Sequence, residues 1–276
     1  MSRSSRHSGG DGEVPGAGGR TTEPDDGAGL DDAEPPEHPP GSPIAFLYRA
    51  FDDMLAALGD SAHTAKLAEA RRLYEDRRGR VFEDEPLWEK WSQAFLEWYA
   101  LERRGQETAR GANYLVELAS SGRAAARHIA ALNAWLSSHR SLFEVRALRA
   151  GRVELLDILG GGWFAVAEQR SMVGVSVGDV AELRLVGFEG DVRFGRTFLF
   201  HPPDTREAII AHADKMRAQG LSRFDVIEFC ASLRIRCERY RHVSPRRVYE
   251  AASHEDPGRR VGEMPPPVEG GESDGE

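Results

Sequence analysis

Hydrophobic residues recur every three or four positions along the first half of the chain, a spacing that predicts amphipathic helices. The segments with this spacing are 42–58, 61–79, 83–105 and 113–141. Asp84 and Pro86 suit the cap and the first turn of the third helix. The first half of the chain is therefore predicted to be a helical module.

The apolar positions of the third segment carry large side chains. They are Leu87, Trp91, Ala94, Phe95, Trp98 and Leu101. An exposed aromatic stripe of this kind can stack nucleic-acid bases. The largest apolar side chains of a small helical domain more often fill its core, so we interpret the stripe as core.

The pattern changes at Leu142, where short runs with partial alternation of apolar and polar residues replace the helical spacing. The five runs are 142–150, 152–159, 163–170, 179–190 and 192–200. Strands of this length, joined by glycine turns, predict a small β-barrel-like module.

Three consecutive glycines, Gly160 to Gly162, raise the question of a phosphate-binding loop. Such a loop leads from a strand into the N-terminus of a helix and carries a Lys-Ser or Lys-Thr pair. Here Trp-Phe-Ala-Val follows, which favours a strand. We therefore predict a hairpin turn at these glycines, and a second turn at Gly178, where glycine can adopt a positive φ.

Helical spacing returns after Pro202. It predicts one helix over 204–220 and another over 222–252, capped by Ser222 and broken at Pro245. These segments form a C-terminal helical pair.

The two cysteines, Cys230 and Cys237, lie on the second of these helices. Their spacing corresponds to a rise of about 10 Å along a helix, which is more than a disulfide spans. We predict two buried free thiols, as expected in a reducing cytoplasm.

Charge separates the ends of the chain from its middle. Residues 1–42 hold three arginines against nine acidic residues, and residues 255–276 hold two against seven. The ends thus carry −6 and −5, and with −9 for the whole chain the middle carries +2. Both ends lack the apolar surface that would offset chain entropy, so we predict disordered acidic tails.

These elements together predict an α+β protein. Its parts are a disordered acidic tail over 1–42, a helical module over 43–141, a five-stranded small β-barrel-like module over 142–202, a C-terminal helical pair over 203–252 and a disordered acidic tail over 253–276. No run is apolar enough to span a membrane, and the N-terminus lacks the apolar segment of a secretion signal. We therefore expect a cytoplasmic protein. Arginine accounts for 33 of the 36 basic residues, which we attribute to a GC-rich bacterial genome.

Five short stretches follow one another in a recognisable order. They are WEKW to FLEWY (88–99), SLFEV (141–145), LLDILGG (155–161), VGDV (177–180) and FLFHP (198–202). This order resembles an uncharacterised bacterial domain that often occurs in proteins carrying a SEC-C metal-binding motif. The resemblance implies a helical region followed by a small β module, and no known reaction. SEC-C motifs bind zinc through closely spaced cysteines, which this chain lacks, so their metal-linked interaction is not implied.

The common zinc-binding helix motif is missing from the sequence, which contains no His-Glu-x-x-His. The histidines worth testing as metal ligands are His128, His139, His201 and His212. A cluster of His201 with Asp204 and Glu207 is the alternative to a plain strand-to-helix junction, which we favour. We predict no catalytic residues, no metal and no cofactor.

The most basic stretch of the chain lies in the C-terminal helical pair. Its arginines are Arg234, Arg236, Arg239, Arg241, Arg246 and Arg247. Guanidinium groups bind phosphate and stack on bases. One hypothesis is therefore a nucleic-acid-binding protein that uses the β module and this helix, with the acidic tails weakening the binding.

The leading hypothesis is a non-enzymatic cytoplasmic interaction or regulatory protein whose partner is another protein. A charged helix face is most often simply solvated, and the middle of the chain carries only +2. The sequence identifies neither the partner nor the oligomeric state.

Overall fold

The structure is a computed structural model that describes residues 38–56, 58, 61–103 and 113–254. Apart from 38–42 and 253–254, the two predicted acidic tails lie outside these residues. The helices of the described part are α1 Pro43–Ala56, α2 Ser61–Arg78, α3 Trp88–Leu101, α4 Tyr114–Ser120, α5 Ile129–Leu136, α6 Arg206–Ala218, α7 Arg223–Arg239 and α8 Pro245–Ala251. The strands are β1 His139–Arg149, β2 Arg152–Asp157, β3 Trp163–Ala167, β4 Val180–Phe188 and β5 Asp191–Phe200. The predicted α+β class is confirmed. Within the described ranges, every helix is too short or too polar to cross a membrane.

The five strands close into a ring in the order β1-β2-β3-β5-β4. All neighbouring pairs are antiparallel except β3 and β5, which are parallel and share one residue pair, Val166 with Val192. We call this junction the β3–β5 seam. The side chains that fill the barrel are Phe143, Val145, Val153, Leu155, Val166, Ala181, Leu183, Leu185 and Phe194.

Helices cover part of the outer surface of the barrel. The core of α1–α5 includes Val186 and Leu199 from the outer side of β4 and β5. The core of α6–α8 includes Leu142 of β1 and Val180 of β4. The outer side of β4 is therefore buried, and it carries the charged residues Glu182 and Arg184 between the apolar Val180 and Val186.

The aromatic stripe of α3 lies in the first of these cores, as predicted. Trp91, Phe95 and Trp98 are buried there, and the ring of Tyr74 from α2 packs against all three. The stripe is therefore not a surface on which bases could stack.

The hairpin between β2 and β3 confirms the turn prediction, and Asp157 holds it together. Its carboxylate accepts hydrogen bonds from Ser141 Oγ (2.5 Å) and from the backbone N–H of Leu159 (2.9 Å). A Cβ atom at Gly160 would lie 2.5 Å from the same carboxylate. The position therefore needs glycine for space. Gly178 has φ +99°, as its predicted turn requires.

The start of α3 differs from the prediction. The helix begins at Trp88 with Leu87 at its N-cap and no side-chain cap, so the predicted cap at Asp84 is wrong. Glu85 explains the delay, because its carboxylate accepts the backbone N–H of Phe82 at 2.7 Å and forms a separate turn.

The end of the helical region also differs. The two helical segments predicted within 113–141 correspond to α4 and α5, but the last residues of the second segment belong to β1, which begins at His139. His139 and Arg140 pair with Leu185 and Arg184 of β4. This pairing joins residues distant in sequence and overrides the local helical pattern. The predicted Ser222 cap of α7 is confirmed, with Asp225 completing a capping box.

Candidate binding face of the barrel

The six arginines of the C-terminal stretch do not form one surface. Arg234 and Arg236 point into the protein and are each 8% exposed. The Arg234 guanidinium donates to the carbonyl of Phe200 (2.8 Å) and pairs with Glu238. Arg234 thereby joins α7 to the end of β5.

The other four arginines of this stretch lie at the surface, and three of them have carboxylate partners. Arg239 pairs with Glu85 at 2.9 Å. Arg241 pairs with Glu238 at 3.4 Å, and Arg246 with Glu250 at 2.7 Å. Arg247 is exposed on α8. The positive charge of this stretch is therefore largely balanced by its own surroundings.

Further charged residues fill the junction between the helices and the barrel. We call them the buried charge cluster: Arg78, Arg140, Arg184, Glu97, Glu102, Glu182 and Glu228. Arg140 lies at its centre and contacts Glu102 at 2.5 Å, Glu182 at 2.5 Å and Glu228 at 3.2 Å. The cluster joins α2, α3 and α7 to the strands.

The arginines of the cluster keep the carboxylates of Glu102 and Glu182 ionised. Burial alone would raise the pKa of Glu182, but Arg140 and Arg78 lower it to about 2. Burial is likewise outweighed at Glu102, whose pKa Arg140 and Arg184 lower. The cavity beside these residues has a volume of about 10 Å³, which leaves room for about one water molecule. The arrangement is that of a structural ion network.

The candidate metal-ligating histidines occupy separate places. His201 is buried, its Nδ1 lies 2.6 Å from the Tyr249 hydroxyl, and burial lowers its pKa to about 3. His139 contacts Asp157 at 2.8 Å, and His128 lies 3.3 Å from Asp53. His212 Nε2 lies 2.8 Å from the Tyr249 carbonyl oxygen. Over residues 38–56, 58, 61–103 and 113–254, no three histidine, cysteine or acidic side chains are placed to hold a metal ion.

The two cysteines are free and buried, as predicted. Burial raises the pKa of both thiols, that of Cys237 to about 12. Since the thiolate is the reactive form of cysteine, neither side chain is activated at neutral pH.

The barrel surface formed by β2, β3 and the end of β1 faces solvent. Strand alternation turns Val153, Leu155 and Val166 into the barrel and their neighbours outward. We call the outward set the open face: Arg146, Arg149, Arg152, Glu154, Leu156, Trp163 and Ala165. This face is the candidate site.

Trp163 is the largest side chain of the open face. It is 62% exposed, whereas Trp91, Trp98 and Trp135 are at most 7% exposed. The guanidinium carbon of Arg146 lies 5.6 Å from the centre of its ring. The cation therefore lies against the tryptophan, and most of the ring remains open to solvent.

Buried Glu144 fixes this arginine. One carboxylate oxygen lies 3.0 Å from the Arg146 guanidinium, and the other lies 2.9 Å from that of Arg206 on α6. Burial alone would raise the pKa of Glu144, but the two arginines lower it. The carboxylate thus stays charged at neutral pH and orients Arg146.

Positive charge predominates around Trp163. Arg149 pairs with Glu154 at 2.8 Å and lies opposite Arg152 across the β1–β2 pair. With Arg206 and Glu144 at its border, the face brings together four arginines and two glutamates. Its formal charge is therefore two positive.

Sequence reasoning misses this face, because a tryptophan at the start of a predicted strand can point either way. The signal that could reveal the open face is the alternation of side chains along the strands, since every second residue points to the same side of the sheet. Polar Arg152 and Glu154 alternate with apolar Val153 and Leu155 on β2, and Trp163 lies in register with the outward set.

No protein-family model, curated protein or solved structure matches the chain. The resemblance to the SEC-C-associated domain stays a prediction. Functional conclusions therefore rest on the residues of this chain.

Proposed function

We propose that this protein is a non-enzymatic binding protein that contacts its partner through the open face. The observation that carries the proposal is the exposure of Trp163, at 62%, on an outward sheet surface. Covering so large an aromatic side chain is favourable. Tryptophan and arginine are also the residues most enriched among those that dominate binding energy, and Arg146 lies against this ring.

The titratable groups of the interior support binding rather than catalysis. Two arginines hold Glu182 ionised, His201 is neutral because its pKa is about 3, and the Cys237 thiol is protonated because its pKa is about 12. A general acid or base works best with a pKa near the operating pH. None of these three groups meets that condition at neutral pH.

Site-specific photo-crosslinking in the native host tests the proposal. The photoreactive amino acid p-benzoyl-phenylalanine replaces Ala165, which is exposed beside Trp163. The matched control replaces Ala211, which is exposed on α6. We expect a discrete adduct of the full chain from position 165 and none from position 211. Absence of an adduct at 165, or equal adducts at both positions, would contradict the proposal.

A further inference from the structure

We infer that the ligand of the open face is single-stranded nucleic acid, bound with an unpaired base stacked on Trp163. The inference rests on the proposed function, because it names the ligand class of the same face. Three properties of the face carry it: the open ring, the charge beside it and the shape of the surface.

The ring of Trp163 provides the stacking surface. Every nucleobase has a flat π-face, so a flat aromatic side chain binds any unpaired base, and an adjacent guanidinium adds a cation–π contribution. Arg146 already lies 5.6 Å from the ring centre and is held there by Glu144. The aromatic–cation pair is therefore formed before a ligand arrives, which lowers the entropic cost of binding.

The arginines around the ring provide the phosphate contacts. Arg149 and Arg152 are exposed and lie opposite each other on β1 and β2. Guanidinium groups bind phosphate oxygens through two parallel hydrogen bonds. The net positive charge of the face favours a polyanion over a neutral ligand.

The shape of the surface favours a single strand over a duplex. A duplex keeps its bases stacked, and proteins read them by placing a helix or a β-ribbon in a groove. The open face is the side of a barrel, and the β1–β2 turn at its edge consists of Ala150 and Gly151 alone. A single strand can lie across such a surface with one base on Trp163.

The arginine-rich C-terminal stretch offers less for this ligand. Arg234 and Arg236 are buried, and Arg239, Arg241 and Arg246 have carboxylate partners. A phosphate would have to displace those carboxylates, as it would displace Glu154 from Arg149, but residues 234–247 contain no tryptophan on which a base could stack. This stretch therefore provides the matched control for the test.

An acidic protein segment is the other ligand that the charge of the face would attract. Val173 and Val177, 72% and 63% exposed on the loop between β3 and β4, are side chains that such a partner would cover. A nucleic acid would stack a base on Trp163, whereas an acidic protein segment has no base to stack. Binding of a protein in place of an oligonucleotide is therefore one outcome of the test.

Fluorescence anisotropy of the full chain with a labelled oligonucleotide of about 12 nucleotides tests the inference. The same sequence is offered as a single strand and as a duplex. We expect binding of the single strand in the micromolar range or tighter at low salt, weaker binding of the duplex, and a loss of affinity with added salt.

Four variants locate the contact. Trp163→Ala should weaken single-strand binding about ten-fold, and Trp163→Phe should retain part of the affinity because it keeps an aromatic face. Changing Arg149 and Arg152 together to Gln should reduce the slope of log affinity against log salt by about 1.4, since each phosphate contact of a single strand contributes about 0.7. The matched double change, Arg241→Gln with Arg247→Gln, should leave the slope unchanged. Thermal unfolding of each variant confirms that it is folded.

The outcomes separate the inference from the proposed function. Equal binding of duplex and single strand, or an effect of the C-terminal arginines in place of Trp163, overturns the inference. If no oligonucleotide binds but the adduct at position 165 is protease-sensitive and nuclease-resistant, the face binds protein: the inference fails and the proposed function stands. If there is neither oligonucleotide binding nor an adduct, both fail.

Discussion

The buried charge cluster and the open face are built from the same residue types, arginine and glutamate, in opposite surroundings. In the cluster, Arg140 contacts three carboxylates and is 5% exposed. On the open face, Arg149 pairs with one carboxylate and its side chain is 67% exposed. Packing, and not composition, therefore decides which arginines are committed to the fold and which remain available to a ligand.

The energetic consequences of the two surroundings differ as much as their geometry. Removing one partner of a buried pair leaves an uncompensated charge, which costs about 3–5 kcal/mol. An exposed pair contributes about 1 kcal/mol at most. Matched substitutions in the two regions can test this contrast directly.

The largest difference is expected from Glu182→Gln. The substitution removes one of the two carboxylates that Arg78 and Arg140 share, the other being Glu228, so the free energy of unfolding should fall by about 3–5 kcal/mol. Glu154→Gln on the open face is the matched control and should cost about 1 kcal/mol or less. Urea denaturation measures both. Similar losses for the two variants would show that the cluster does not behave as a buried network.

The next largest effect is expected from acid. Glu182 has a pKa of about 2 in the fold against an ordinary value of 4.5. A lowered carboxylate pKa stabilises the fold fully above the ordinary value, and this stabilisation is lost as the pH falls towards the folded value. The shift corresponds to about 3 kcal/mol, lost between about pH 4.5 and about pH 2.

Urea denaturation at decreasing pH measures that loss, and Glu182→Gln provides the control. The variant lacks the titrating group and should lose less stability over the same range. A variant whose pH dependence matches that of the natural chain would assign the acid sensitivity to other groups.

The smallest effect that still separates the regions is expected at a glycine. A Cβ atom at Gly195 would lie 2.9 Å from the Cβ of Arg184, a member of the cluster. Gly195→Ala should therefore destabilise the fold by about 1–3 kcal/mol. At Gly187 on β4, nothing lies within 4 Å of an added Cβ, so Gly187→Ala should have little effect. Thermal unfolding measures the stability of both variants. Equal losses of stability would show that the close approach to Arg184 is not the cause.

The sequence predicts well those elements of the fold that depend only on neighbouring residues. The hairpin between β2 and β3 follows from its glycines, and the start of α7 follows from Ser222, because turn and cap chemistry depend on neighbouring residues. The five strands follow from short alternating runs. The start of α3 is missed, because Glu85 uses its carboxylate to close a separate turn.

The candidate site is harder to predict, because exposure depends on residues distant in sequence. The pattern of α7 does not show that Arg234 donates to Phe200 or that Arg239 meets Glu85, more than 30 and 150 positions away in the chain. In the same way, nothing local to Trp163 reveals that helices cover β4 and β5 and leave β2 and β3 exposed. Sequence identifies arginines, but only the packing shows which of them a ligand can reach.

The β3–β5 seam has a consequence for how the barrel exchanges its amide hydrogens with solvent. β2 holds β3 through five residue pairs, whereas β5 holds it through one. Segments with few hydrogen-bonded neighbours open at low free-energy cost, so the amides of Trp163–Ala167 should take up deuterium earlier than those of β4. A ligand bound over Trp163 would slow this uptake. The deuterium content of this one strand then reports whether the open face is occupied.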